Sequence, residues 1–236
     1  MNNVKDLTKR LATRLFPRLR YSVLAYSSEG EDLLLKRIFD EKKDGVYVDV
    51  GAHHPFRFSN TYLFYKKNWR GINIDPMPGT MELFNKYRPG DINLEMGVSS
   101  VPQELTYSIF NEPALNTFSA EKVKEYTQKS CYKVIGSKKV ETRPLAAILD
   151  QHLKSTAIDF LTIDAEGMDL EVLRSNNWQK YRPAFVLVES QPYELEKGTS
   201  SDLLKFMHQK GYGVFAKTYY TYFFRDMQGN YTGPND

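Results

Sequence analysis

Val46-Tyr-Val-Asp-Val-Gly-Ala-His-His-Pro55 is the stretch from which the rest of the architecture can be read. Its first five residues, β-branched or aromatic around a single acid, suit a buried strand over 46–50. The strand carries Asp49 and opens into Gly51 and Ala52, small residues that permit a tight turn and a close approach of backbone to a ligand. In open α/β sheets the carboxyl end of such a strand is where nucleotides bind. The stretch is neither G-x-G-x-x-G nor G-x-x-x-x-G-K-[ST], so a pyrophosphate is not the expected ligand.

On either side of this strand, apolar runs at 72–74, 92–96, 160–163 and 185–188 alternate with amphipathic runs at 60–67, 81–87, 145–153 and 168–175. That alternation predicts a mostly parallel sheet covered on both faces. After a helix at 202–209, the runs 212–217 and 219–225 are close enough to pair as a C-terminal antiparallel hairpin. Residues 99–143 break the alternation and read as an insertion, with an extended piece near 105–110 and a helix near 121–129; insertions of this length often cover a pocket. The first twenty residues place Val4, Leu7, Leu11 and Leu15 at helical spacing amid Lys and Arg. This predicts a basic amphipathic helix over 1–20 that packs on its own domain or on a second copy of the chain, or rests on an anionic membrane surface. Residues 21–236 then form a single domain.

Composition narrows the function classes. With 41% hydrophobic and 26% charged residues the chain is globular. A net charge of +3 is too mild, and too dispersed outside the first helix, for a nucleic-acid track. The lone Cys131 excludes an internal disulfide framework and a thiolate metal cluster, which favours a cytoplasmic setting, with contact at the inner membrane face as the alternative. No run approaches the roughly 18 apolar residues of a bilayer span, and the N-terminus lacks the apolar core of a signal peptide.

Three strand ends point to one ligand class. The second strand ends at Asp75-Pro76, about 25 residues after the glycine turn, the spacing at which such folds set a carboxylate on ribose hydroxyls. The third ends at Gly97-Val98, where a small residue and backbone groups can flank an adenine. Together with the Gly51 turn they suit an adenosine without phosphates. The fourth strand ends in Asp164-Ala-Glu166-Gly167 and the fifth in Glu189, so three acids should converge at the sheet's carboxyl edge. The alternative for Glu166 and Asp169 is a cap on the following helix. One of His53 and His54 is a candidate acid/base or ligand contact, whereas His152 and His208 fall on helix surfaces. Asp164 and Glu189 also offer oxygen donors suited to Mg²⁺ or Ca²⁺, though no spacing singles out a metal. Aromatics at 219–224 stack on a sugar ring or pack into the core.

Several separated motifs appear in one order: Tyr26-Ser-Ser-Glu-Gly-Glu-Asp32, Val48-Asp-Val-Gly-Ala52, Ser59-Asn-Thr61, Asp75-Pro76, Ile163-Asp-Ala-Glu-Gly167 and Glu171-Val-Leu173. On these the chain resembles the FkbM family of S-adenosyl-L-methionine-dependent methyltransferases, over residues 26–190; Ser28 departs from the Gln that the family often has. The resemblance implies a Rossmann-like class I methyltransferase fold. It places Glu31, Asp49, Gly51, Ala52, His53, Asn60, Thr61, Asp75, Pro76, Gly97 and Val98 among the donor-binding candidates, and Asp164, Glu166, Glu189 and His53 among the catalytic ones. It further implies O-methylation of a sugar, glycan, nucleotide sugar or small-molecule hydroxyl. Methyl transfer to nitrogen, and a non-catalytic adenosine-binding scaffold, are the rival readings.

Overall fold

The computed structural model describes residues 16–17, 21–190 and 201–229. The predicted helix over 1–20 therefore falls outside the described residues, apart from Phe16 and Pro17. The main sheet has seven strands, β1 (Val46–Val50), β2 (Arg70–Asp75), β3 (Ile92–Glu95), β7 (Phe160–Ile163), β8 (Phe185–Glu189), β9 (Tyr212–Lys217) and β10 (Thr221–Asp226), in the spatial order β3-β2-β1-β7-β8-β10-β9. The first five of these pair in parallel, and β10 runs antiparallel to both β8 and β9. This is the mostly parallel α/β sheet with a closing hairpin that the alternation predicts.

Strand parity sorts the core into two layers, because successive side chains point to opposite faces. Val48, Val50, Leu161, Ile163, Val186, Val188, Tyr222 and Phe224 share one face with α5 (Leu145–His152), α6 (Asp169–Arg174) and α7 (Asp202–Gln209). Tyr47, Phe160, Phe185, Leu187 and Phe223 pack on the other with Trp69, with α1 (Glu31–Ile38) and with Phe64 of α2 (Tyr62–Tyr65). Phe84 of α3 (Thr80–Tyr87) packs with Met81 and Ala52. Of the aromatic tail, Tyr222, Phe223 and Phe224 are thus core residues, while Tyr219 and Tyr220 are exposed.

Two expectations need correction. The third strand stops at Glu95 rather than Met96, and β4 (Gly97–Val98) belongs to a separate three-stranded sheet with β5 (Gln103–Phe110) and β6 (Val134–Arg143), in the order β4-β6-β5. In the insertion, β5 pairs antiparallel with β6, a strand that the sequence reading missed. Most of β6 is exposed on both faces, so it lacks the alternation that marks a half-buried strand. The helix in the insertion, α4, spans Ala120–Thr127. Helix α1 was also unforeseen, since its Leu33-Leu34-Leu35 run obscures the helical period.

On the Tyr47 side of the sheet lies a buried polar hub. The Arg88 guanidinium donates to Asp91 at 2.9 Å, to the Tyr47 hydroxyl at 2.9 Å and to the Thr61 hydroxyl at 3.0 Å. Asp91 also accepts from the Gly71 amide at 3.0 Å and from the Asn73 side chain at 3.1 Å. The Arg88 and Asp91 side chains are both 0% exposed. Removing one partner of a buried pair leaves the other charge uncompensated, which costs about 3–5 kcal/mol. Asp91→Ala is therefore expected to lower the urea-unfolding free energy by about that amount; a loss below about 1 kcal/mol, the scale of an exposed pair, would contradict the assignment.

Candidate functional site

A cleft of about 710 Å³, open to solvent, lies over the carboxyl ends of β1, β2 and β7. Gly51, at φ +83°, makes its floor: a Cβ there would sit 1.7 Å from the Asp164 carbonyl oxygen. The Gly51 and Ala52 amides both donate to the Ile74 carbonyl, at 2.9 and 3.1 Å, which fixes the turn against β2. Asp75 closes this end. Its carboxylate accepts from the His53 amide and from the Met77 amide, each at 2.8 Å. Burial raises the Asp75 carboxyl to about 6, against the lowering effect of those two amides.

The insertion supplies the opposite wall with Tyr107, Asn116 and Phe118. Gly97 is required here by close packing, since a Cβ would fall 2.8 Å from the Phe118 ring. Across the lips, Arg57 pairs with Glu112 at 3.2 Å and lies over the Phe58 ring. His53, Phe58 and Glu166 adopt positive φ without being glycine, and all three line the cleft. Such backbone conformations persist only where surrounding structure holds them, and they cluster at ligand sites.

At the other end, Asp164, Glu166 and Glu189 each bring a carboxylate oxygen within 4.8 Å of the others. Asp164 faces the open cleft rather than being packed over, yet it sits within the concavity. Loss of hydration there, with the neighbouring carboxylates, pushes its carboxyl well above the ordinary range. Burial and Glu189 raise Glu166 to about 8, partly countered by a hydrogen bond from Tyr126 and by Lys122. Glu189 is raised as well, chiefly by burial. Such a cluster retains protons near neutrality and titrates as a unit. Its three acids are oxygen donors of the kind Mg²⁺ or Ca²⁺ takes.

The capping alternative separates the two acids of the turn. Asp169 accepts from the Ala165 amide at 2.9 Å and the Gly167 amide at 3.2 Å, so it shapes the turn itself. Glu166 makes no cap: its carboxyl belongs to the acid cluster. The histidines also separate. His54 Nδ1 accepts from the Phe56 and Arg57 amides, both at 3.1 Å, and so organises the loop. His53 lines the cleft with its Nε2 buried and unpartnered, and burial lowers its imidazole to about 4, keeping it neutral. His208 is exposed, and His152 is half-buried at the end of α5.

Of the donor-binding candidates, Gly51, His53, Asp75, Pro76, Gly97 and Val98 line the cleft. The rest lie behind or beside it. Ala52 is buried against α3. Asp49 accepts from Thr61 at 2.8 Å beside the Arg88 hub, where burial raises it to about 6. Asn60 donates to the Thr162 hydroxyl at 2.9 Å, and Glu31 accepts from the Thr221 hydroxyl at 3.1 Å, tying α1 to β10. These groups support the sheet from the face opposite the ligand. Sequence reasoning missed Tyr107, Asn116 and Phe118 as cleft residues; they arrive through the fold of the insertion, which no local motif announces.

The family model described as the methyltransferase FkbM domain matches residues 49–214. Among solved structures, the methyltransferase FkbM from Methylobacillus flagellatus KT is similar, with 14% identity and a TM-score of 0.46. The match covers 77% of this chain and 44% of that one, so the chain spans less than half the length of that relative. No curated protein matches. Among the described residues, no helix is long and apolar enough to cross a membrane.

The acid cluster makes stability depend on pH. Between the ordinary carboxyl range and about 8, the folded chain holds a proton on Glu166 that the unfolded chain releases, so its contribution falls as pH rises through that window. Glu166→Gln abolishes this loss. Its Tm relative to the wild type is expected to rise from about pH 5 to about pH 8.5, measured by calorimetry; a difference that stays flat across that interval would contradict the raised carboxyl.

Proposed function

Because this chain belongs to the methyltransferase FkbM domain family, we propose that it is an S-adenosylmethionine-dependent methyltransferase acting on a hydroxyl group of a sugar, glycan or small molecule. The observation that carries this reading is a cleft lined by the Gly51 turn and Asp75 together with Asp164 and Glu166, two acids whose carboxylates also meet Glu189. The buried, unpartnered Nε2 of His53 in its wall fits a polar organic ligand. Gly51, Asp75, Pro76, Gly97 and Val98 would hold the adenosine part. When bound, S-adenosylmethionine supplies a methyl group on a positively charged sulfur.

The chain's own groups do the remaining work. A hydroxyl that accepts a methyl group must shed a proton, and a carboxylate of the Asp164–Glu166–Glu189 cluster takes it as the new C–O bond forms. A cluster titrating near neutrality is a better match for that task than an ordinary carboxylate, because base strength rises with pKa while the group must still be partly ionised. Tyr107, Phe118 and Phe58 offer aromatic faces in the same cleft, suited to the apolar faces of a sugar ring.

Calorimetry with S-adenosylhomocysteine tests the donor end. Asp75→Ala is expected to weaken binding by roughly 1–3 kcal/mol, the scale for leaving hydrogen-bonding groups unpaired; unchanged affinity in a folded variant removes Asp75 from the ribose role. A transfer assay over nucleotide sugars, glycans and small alcohols tests the acceptor end. Asp164→Asn and Glu189→Gln are expected to cut turnover about a hundredfold to ten-thousandfold, with donor affinity unchanged. Turnover that survives a chelator assigns the proton to a carboxylate alone, while loss and recovery with a divalent cation assigns the cluster to holding the metal. Wild-type turnover in both variants would refute the acid assignment.

A further inference from the structure

The insertion does more than wall the cleft, because it grips the acid-bearing turn after β7 at two points on Glu166. The Thr117 hydroxyl donates to the Glu166 carbonyl oxygen at 2.7 Å, and the Tyr126 hydroxyl donates to Glu166 Oε2. Tyr126 is itself fixed. It is 7% exposed, its ring meets Phe110 edge to face at 5.8 Å, and the Lys122 ammonium lies 5.2 Å from its ring centre. Packing alone would be served as well by phenylalanine; only the hydroxyl reaches the acid. Glu166 meanwhile holds φ at +46°, so its backbone is constrained from outside the turn.

Resting on the methyl-transfer reading, we propose that Tyr126 is a positioning residue for Glu166: its hydrogen bond to one carboxyl oxygen holds the carboxyl in the orientation that meets Asp164 and Glu189, so the insertion completes the acid end of the cleft. A carboxyl free to rotate would spread its oxygens over several orientations, and misplacement of a reacting group by a fraction of an ångström is costly in rate. The charged groups around this contact are Asp164 and Glu189 at the strand ends, Asp169 on α6, and Lys122 and Glu125 on α4, where Lys122 and Glu125 pair at 3.4 Å. None of them replaces the tyrosine hydroxyl, which is a directional donor at one carboxyl oxygen.

The test is Tyr126→Phe in the full chain, read in two ways. The carboxyl ¹³C resonance of Glu166, assigned by its disappearance in Glu166→Gln, is expected to move in Tyr126→Phe while the amide spectrum elsewhere stays folded. On an accepted acceptor, kcat is expected to fall roughly tenfold to a hundredfold, with S-adenosylhomocysteine affinity unchanged and no further loss when Tyr126→Phe is added to Glu166→Gln. An unmoved resonance overturns the contact, and a moved resonance with wild-type kcat overturns the positioning role. Should Tyr126→Phe fail to fold, the ring ¹³Cζ resonance of Tyr126 in the wild type and in Glu166→Gln gives the same answer, an unshifted signal overturning the contact. A wild type that transfers to none of the acceptors refutes the methyl-transfer reading, while the two resonances still decide the contact.

Discussion

Just beyond the ends of the paired strands β1 and β7 the two backbones approach so closely that position 51 has no room for a side chain. This close approach aligns the ligand turn and the acid-bearing turn. Because the Gly51 backbone rests on the Asp164 carbonyl, the donor-side loop and the Asp164–Glu166 turn share one support. Neither turn can shift without the other. Gly51, His53 and Glu166, which flank this contact, all hold positive φ.

A second constraint acts from below. The Arg88 hub joins β1 through Tyr47, β2 through Gly71 and Asn73, and the 59–61 loop through Thr61. It accounts for the contacts of Asp49 and Thr61, two residues of the sequence motifs that stand on the face of the sheet away from the ligand. For Asp49 the period along β1 gives this away: it shares parity with Tyr47, whereas Val50, of the opposite parity, lines the cleft. A motif can thus be functional in origin and structural in its contact, because holding a loop requires buried polar partners that are all satisfied.

What was legible in the sequence depends on the range of the interactions. The parallel strands, their flanking helices and the closing hairpin are written in short apolar runs, and the Gly51 turn, Asp75 and the acids after β7 are marked by their position at strand ends. The insertion was legible only as an interruption. Its strand β6 carries Lys138, Lys139 and Glu141 on an open surface, so the alternating pattern is absent, and its aromatic wall depends on pairings between residues far apart in the chain. Likewise, nothing local distinguishes Tyr126 from other half-apolar helix residues until α4 is seen against Glu166.

The insertion leaves and rejoins the body at adjacent points, since Gly97 and Val98 of β4 pair with Thr142 and Arg143 of β6. An excursion whose ends are zipped together is a cassette: its interior can be lengthened, shortened or replaced without changing the order of the main sheet. The half of the cleft nearest Tyr107 and Phe118 can therefore change without disturbing the half built on β1 and β2. In this chain the cassette also presents the hydroxyl donors that meet the carbonyl and the carboxyl of Glu166.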